Sequence, residues 1–226
     1  MQYTDPAHVH APKVVNGETY EYDPNGNLLR GGGRTLTWDP ENRLQQASYG
    51  GQTTTFTYDG DGMLVKREVD GETTVYAGQH YERNVTTGQE SKYYYFADQR
   101  VAMQKGSSVS FLHTDHLGST SVMSDQAGNA VGEAIRYFPY GTTRAGNPGT
   151  LPTDYLYTGQ RRQEPLGGLY HMGARFYDPA LGRWLSADSI IPDETDPRAL
   201  NRFAYSLNNP IMYRDPDGHI ALATIG

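Results

Sequence analysis

Between residues 20 and 64 the sequence states one short unit three times: residues of the aromatic or aliphatic kind at alternate positions, then Asp, then a turn, then an aliphatic residue. Tyr20, Tyr22 and Asp23 lead to Leu28; Leu36, Trp38 and Asp39 lead to Leu44; Phe56, Tyr58 and Asp59 lead to Leu64. Alternation before the Asp describes a strand with its large side chains on one face. Each Asp is followed three residues later by Gly26, Asn42 or Gly62, residue types that accept the positive φ of a tight turn at low cost. A repeat of roughly 16 to 20 residues is one hairpin, and one hairpin cannot bury its apolar face alone, so successive hairpins must stack into a continuing sheet. The unit therefore predicts an all-β chain, a spiralling sheet of stacked hairpins.

The alternation continues less strictly through Val75 and Tyr76, Lys92 to Phe96, Val109 to Leu112 and Ser121 to Asp125, all expected as strands. Ile135 to Gly141 closes this run, with Pro139 suggesting an edge or bulge. Residues 144–154, rich in Gly, Pro, Asn and Thr, read as a linker loop. This divides the chain into a hairpin array over 1–143, the linker over 144–154, and a region of different character over 155–219, with 220–226 beginning a further segment. In the last region Asp196 as N-cap, Pro197 at the first helical position and a stop at Asn208 predict a short helix.

Composition sharpens this picture where it excludes alternatives. With 26 Gly, 18 Tyr and 13 Pro but only 36% hydrophobic residues, burial must come largely from aromatic rings, which can hide the ring while a hydroxyl stays wet. A formal charge of −7 without a basic stripe argues against a nucleic-acid partner. The absence of Cys removes disulfides and thiolate-bound metals. Residues 1–11 lack the basic and apolar regions of a signal peptide, and no stretch is apolar for the length of a membrane helix. The N-terminus reads as the middle of a longer chain.

These repeats, together with a dense set of motifs near the C-terminus, resemble the RHS/YD-repeat proteins, the family of bacterial RHS toxins, Tc-toxin C components, wall-associated repeat proteins and teneurins. The motifs are Tyr157 to Gln160, Gly168 to Pro179, Gly182 to Asp188, Asn201 to Tyr205 and Asn208 to Pro210, similar to the RHS repeat-associated core. The resemblance implies a β-strip that spirals into a hollow shell, a core domain that caps it, and an enclosed C-terminal toxin or effector domain of the same chain as partner, together with the rest of the shell. It implies a secreted or cell-surface location. It also implies, as in many members, that the core cuts its own chain after a motif that here comprises Pro210, Asp215, Pro216 and Gly218 and ends at His219. The cleaved bond is expected to be His219–Ile220, and the family's Leu before the cut is His219 in this chain.

Cutting a peptide bond without a thiol or a metal calls for a pair of carboxyl groups, one activating water while its protonated partner donates. By resemblance the residues of a single-turnover aspartic autoprotease fall on Glu164, Arg175 and Asp188, with Glu164 one methylene longer than the family's Asp. Each also has a plain structural reading: Asp188 as a cap after Ser186 and Ala187, Glu164 as a solvated loop acid beside Pro165, and Arg175 as an ion-pair partner. His8 with His10, and His113 with His116, fall short of a full metal-ligand set, and Asp23, Asp59 and Asp61 lack the acidic ladder of a calcium loop. No metal and no cofactor is expected, nor activity on a diffusible substrate. Two other readings remain open at this level: a structural or adhesive surface module in which these residues only brace the cap, and carbohydrate binding on exposed Tyr faces.

Overall fold

The computed structural model describes residues 1–190 and 198–223. Its body is one antiparallel sheet of 12 strands in strict sequential order, from Glu21–Tyr22 to Thr120–Ser124. In each repeat unit the turn after the aromatic strand is locked by its own Asp. The Oδ1 atom of Asp23 accepts the backbone N–H groups of Asn25 at 2.9 Å and Asn27 at 2.8 Å. Asp39 does the same for Glu41 and Arg43, and Asp59 for Asp61 and Met63. Asp115 and Asp125 repeat the device further along the sheet. The residue three past each Asp turns left-handed, with φ of 84° at Gly26, 60° at Asn42 and 81° at Gly62, as the unit requires.

The aromatic residue before the Asp has its own task. A register shift sits just ahead of it, between Thr37 and Trp38 and between Thr57 and Tyr58. Such bulges re-aim a side chain. Trp38 Nε1 then donates to the Leu28 carbonyl at 2.8 Å, and the Tyr58 hydroxyl to the Leu44 carbonyl at 2.8 Å. Each ring thus reaches back one hairpin and ties it to the next. The inner alternate positions, Leu36 and Phe56 among them, are buried.

The C-terminal region packs on one face of this wall as a four-stranded sheet: Arg161–Gln163, Leu169–Met172, Arg175–Asp178 and Arg183–Trp184. Leu166, Leu169, Phe176 and Leu185 join Leu28, Leu36, Leu44 and Phe56 in one core cluster. Tyr157, Tyr170, Tyr177, Trp184 and Tyr205 join Tyr93, Met103, Leu112 and Met123 in another. Tyr177 and Tyr205 pack with ring centroids 4.4 Å apart, so burial here is aromatic, as the composition demands.

One expectation is corrected. Among the described residues the stretch from 198 to 208 is not a helix: 198–200 form a turn and only Ser206–Asn208 make a single 3-10 turn. Ser206, Leu207 and Asn208 carry φ values of 48°, 52° and 60°, which a right-handed helix excludes. The reason is tertiary pairing. The Phe203 carbonyl accepts Trp184 N–H, the Arg202 carbonyl accepts Asp188 N–H, and Ala204 bridges to Arg183. Backbone groups that a helix would use internally are spent on the cap sheet. The expected cap Asp196 and Pro197 lie outside the described residues.

Candidate functional site

At the end of the cap sheet three strands and loops deliver charged groups to one buried point. Arg175 opens the strand Arg175–Asp178, Asp188 follows the strand Arg183–Trp184, and Asp215 follows Tyr213–Arg214. All three are buried, at 6%, 5% and 2% relative exposure. Arg175 Nη2 donates to Asp188 Oδ2 at 2.6 Å and lies 3.6 Å from Asp215 Oδ2. Its Nη1 donates to the Arg202 carbonyl at 3.0 Å, and its Nε to the Gly218 carbonyl. The guanidinium lies over the Trp184 ring, 4.1 Å from the centroid, which fixes its plane.

The segment containing the expected cleavage bond is threaded directly through this cluster. Its turn is a relative of the wall turns in which the Asp and the Gly are buried: Asp215, Pro216, Asp217, Gly218 and His219 follow the pattern of Asp23, Pro24, Asn25, Gly26 and Asn27. Asp215 Oδ1 accepts Gly218 N–H at 2.8 Å and His219 N–H at 3.0 Å. Gly218 has φ of 85°, and a Cβ there would collide with the Met172 carbonyl. The Asp217 carboxylate takes His219 N–H at 2.9 Å and Ile220 N–H at 3.1 Å. The imidazole of His219 turns back to Asp188, Nδ1 to Oδ1 at 2.7 Å. Pro210 is buried behind the loop, while the Pro216 carbonyl receives Gln160 Nε2 at 2.9 Å.

Burial separates the electrostatics of these acids. Asp215 is pushed up to about 6, mainly by loss of solvent, against the pull of Arg175. The wall-turn Asp125, which accepts the N–H groups of Ala127 and Asn129, is held below the ordinary carboxylate range by its bonds to Asn129. Burial also raises Asp217, but the N–H groups of His219 and Ile220 outweigh it and leave Asp217 lowered. Burial brings Arg175 down to about 10, against the opposing pull of Asp188 and Asp215. The cluster thus holds two buried carboxyl groups across one cation, with Asp215 raised by its burial despite that cation. A cavity of about 40 Å³ is bordered by Arg175, Asp188, Asp215 and His219, room for about one water.

Of the site residues expected from sequence, Arg175, Asp188, Asp215, Gly218 and His219 meet here. Glu164 does not join them: it begins the 3-10 turn Glu164–Leu166, pairs with Arg162 and leaves its side chain largely in solvent. Asp215 entered the sequence reading only as part of the cleavage motif. The signal that marks it is its place as the first residue of a wall-type turn that follows the strand Tyr213–Arg214.

The comparisons with known proteins agree with this architecture. A family described as Teneurin YD-shell matches residues 80–211, and one described as RHS Repeat matches residues 38–75. The tRNA3(Ser)-specific nuclease WapA of Bacillus spizizenii is 31% identical over 217 residues, 91% of this chain and 9% of the relative. Toxin subunit YenC1 of Yersinia entomophaga is 38% identical over 104 residues, 45% of this chain and 10% of the relative. In the crystal structure of TcdB2-TccC3-Cdc42 the match has a TM-score of 0.71 at 24% identity, over 88% of this chain and 11% of the other, a likeness of fold. The chain spans about a tenth of the length of these relatives. With more than half its length matched and the hairpin wall formed as the repeats require, the chain belongs to the RHS/YD-repeat family of YD-shell proteins.

Proposed function

We propose that this chain is the C-terminal wall and cap of a toxin shell, and that its cap cuts the chain once, between His219 and Ile220, to free an enclosed downstream domain. The observation that carries the proposal is Arg175 holding two buried carboxyl groups while its Nε grips the Gly218 carbonyl, one residue ahead of the bond.

In this reading Asp188, paired to Arg175, is the base and Asp215, raised to about 6, is the acid. Asp188 takes a proton from water as its oxygen adds to the His219 carbonyl carbon. The carbon–nitrogen bond to Ile220 then breaks while a proton passes to the departing nitrogen, so one water is consumed and a carboxylate and an amine result. Asp217, which already accepts Ile220 N–H, faces the amine as it gains charge. The motif's fixed turn supplies orientation, worth several kcal/mol in such intramolecular reactions. A secreted or surface location follows from this role, and the enclosed domain and the remaining shell are the partners. The nuclease activity in one relative's name belongs, in this reading, to chain beyond the matched tenth, since this acidic segment carries no basic stripe.

Intact-mass measurement of the purified 226-residue chain tests the cleavage: loss of residues 220–226 is expected, and Asp188→Asn and Asp215→Asn should each retain them. Shedding of those residues by both variants at the wild-type rate would refute the assignment.

A further inference from the structure

Asp188 is more fully occupied than a base should be. Its Oδ1 accepts Ile190 N–H at 2.9 Å and the His219 imidazole at 2.7 Å, and its Oδ2 accepts Arg175 at 2.6 Å. A carboxylate oxygen offers about two lone-pair directions, so both on Oδ1 are filled. The Arg175 bond orients the group, and the Ile190 bond comes from the backbone. The third bond differs in kind, because it comes from the residue whose own carbonyl is to be attacked.

We propose that His219 is a latch: the imidazole on the substrate side of the bond caps the Asp188 carboxylate and holds self-cleavage back until that hydrogen bond opens. This rests on the proposed cleavage and adds its regulation. With the latch closed, Oδ1 has no free lone pair left to take a proton from a water in the adjoining cavity of about 40 Å³. The latch also fixes residue 219 itself, already held through its N–H by Asp215 and Asp217, so the carbonyl must turn against four restraints, counting the Arg175 bond to Gly218. His219 is a positioning residue here. Its ring is a quarter exposed, at 24%, so that an event at the mouth of the site, such as a partner or the following chain drawing the ring away, can open it.

Leu and Asn separate the latch from mere space filling, since they share a shape and only Asn places an N–H donor where the Nδ1 of His219 stands. In intact-mass time courses on the 226-residue chain, His219→Leu should shed residues 220–226 roughly ten- to a hundredfold faster than wild type, the worth of a hydrogen bond to a charged group. His219→Asn should stay as slow as wild type. Equal rates for wild type and His219→Leu, or an Asn variant as fast as Leu, would overturn the latch and leave the cleavage standing. The double variant His219→Leu with Asp215→Asn guards the underlying reading: it should retain the heptapeptide, and if it sheds it as quickly as His219→Leu, or if no variant sheds it, the assigned cleavage chemistry falls and the latch with it.

Discussion

Arg34 on the wall and Asp178 on the cap form a buried ion pair, Nη1 to Oδ2 at 2.8 Å, with side-chain exposures of 7% and 1%. The pair joins positions 144 residues apart, and its remaining hydrogen-bonding capacity is well used. Arg34 Nε also donates to the Leu166 carbonyl at 2.8 Å, while Asp178 Oδ1 accepts Ala180 N–H at 2.8 Å. The bridge therefore sets where the cap sits on the wall, and through the strand Arg175–Asp178 it sets where Arg175 stands.

Breaking one side of that bridge strands a charge in the core. Arg34→Ala or Asp178→Ala should cost about 3–5 kcal/mol, the usual penalty for an uncompensated buried charge, read as a lower midpoint in urea unfolding with an unchanged slope. The double substitution should cost clearly less than the sum of the two. Additive losses would mean that the two groups act independently.

The wall turns predict a graded series. Asp59 caps its turn through two backbone N–H groups on a largely exposed corner, so Asp59→Ala should destabilise by about 1–2 kcal/mol while Asp59→Asn, which keeps an acceptor oxygen, should cost a few tenths. Gly62 stands at φ of 81°, and its Cβ position meets only the Arg43 guanidinium at an ordinary 3.9 Å. Gly62→Ala should therefore cost about 1–2 kcal/mol from backbone strain alone, without any clash, and Gly62→Asn less. Urea unfolding of the four variants checks the order.

The wall was legible from sequence because its information is local. The Asp, the left-handed residue three later and the ring before the Asp all act within one hairpin and its neighbour, and Trp38 and Tyr58 reach only one hairpin back. The cap was harder to read. The helix expected up to Asn208 obeyed local capping rules, yet the segment gave its backbone groups to Trp184 and Asp188, partners that no window around residue 200 reveals. The same limit hid the company of Arg175. Residue types pointed to Arg175 and Asp188, but only the fold shows that the Asp215 carboxyl completes the cluster and that Glu164 turns outward to Arg162. Nothing in the sequence around His219 marks its bond to Asp188, 31 positions away.

Asp215 gives the site a pH signature that stability measurements can isolate. Its folded value, about 6, lies above the ordinary 3.8, so the folded chain holds a proton there that the unfolded chain has released. Stability from this group is therefore fully present below about pH 4 and is lost as pH rises through 6. A shift of that size corresponds to at most about 3 kcal/mol. The half-buried His171 runs the other way: loss of solvent around its ring, aided by Arg161, brings it down to about 3, so it costs stability as pH falls below about 6.5. Because both act at once, the difference between proteins is the useful quantity. Asp215→Asn keeps the turn's acceptor oxygen but cannot ionise, so uncleaved wild type should lose about 2–3 kcal/mol relative to this variant between pH 4 and 7.5, with the loss centred near 5 and nearly complete just above 6, while His171 cancels. A stability difference that stays flat across that range would mean that Asp215 is already ionised when buried, and it would then lack the proton that its role as acid requires.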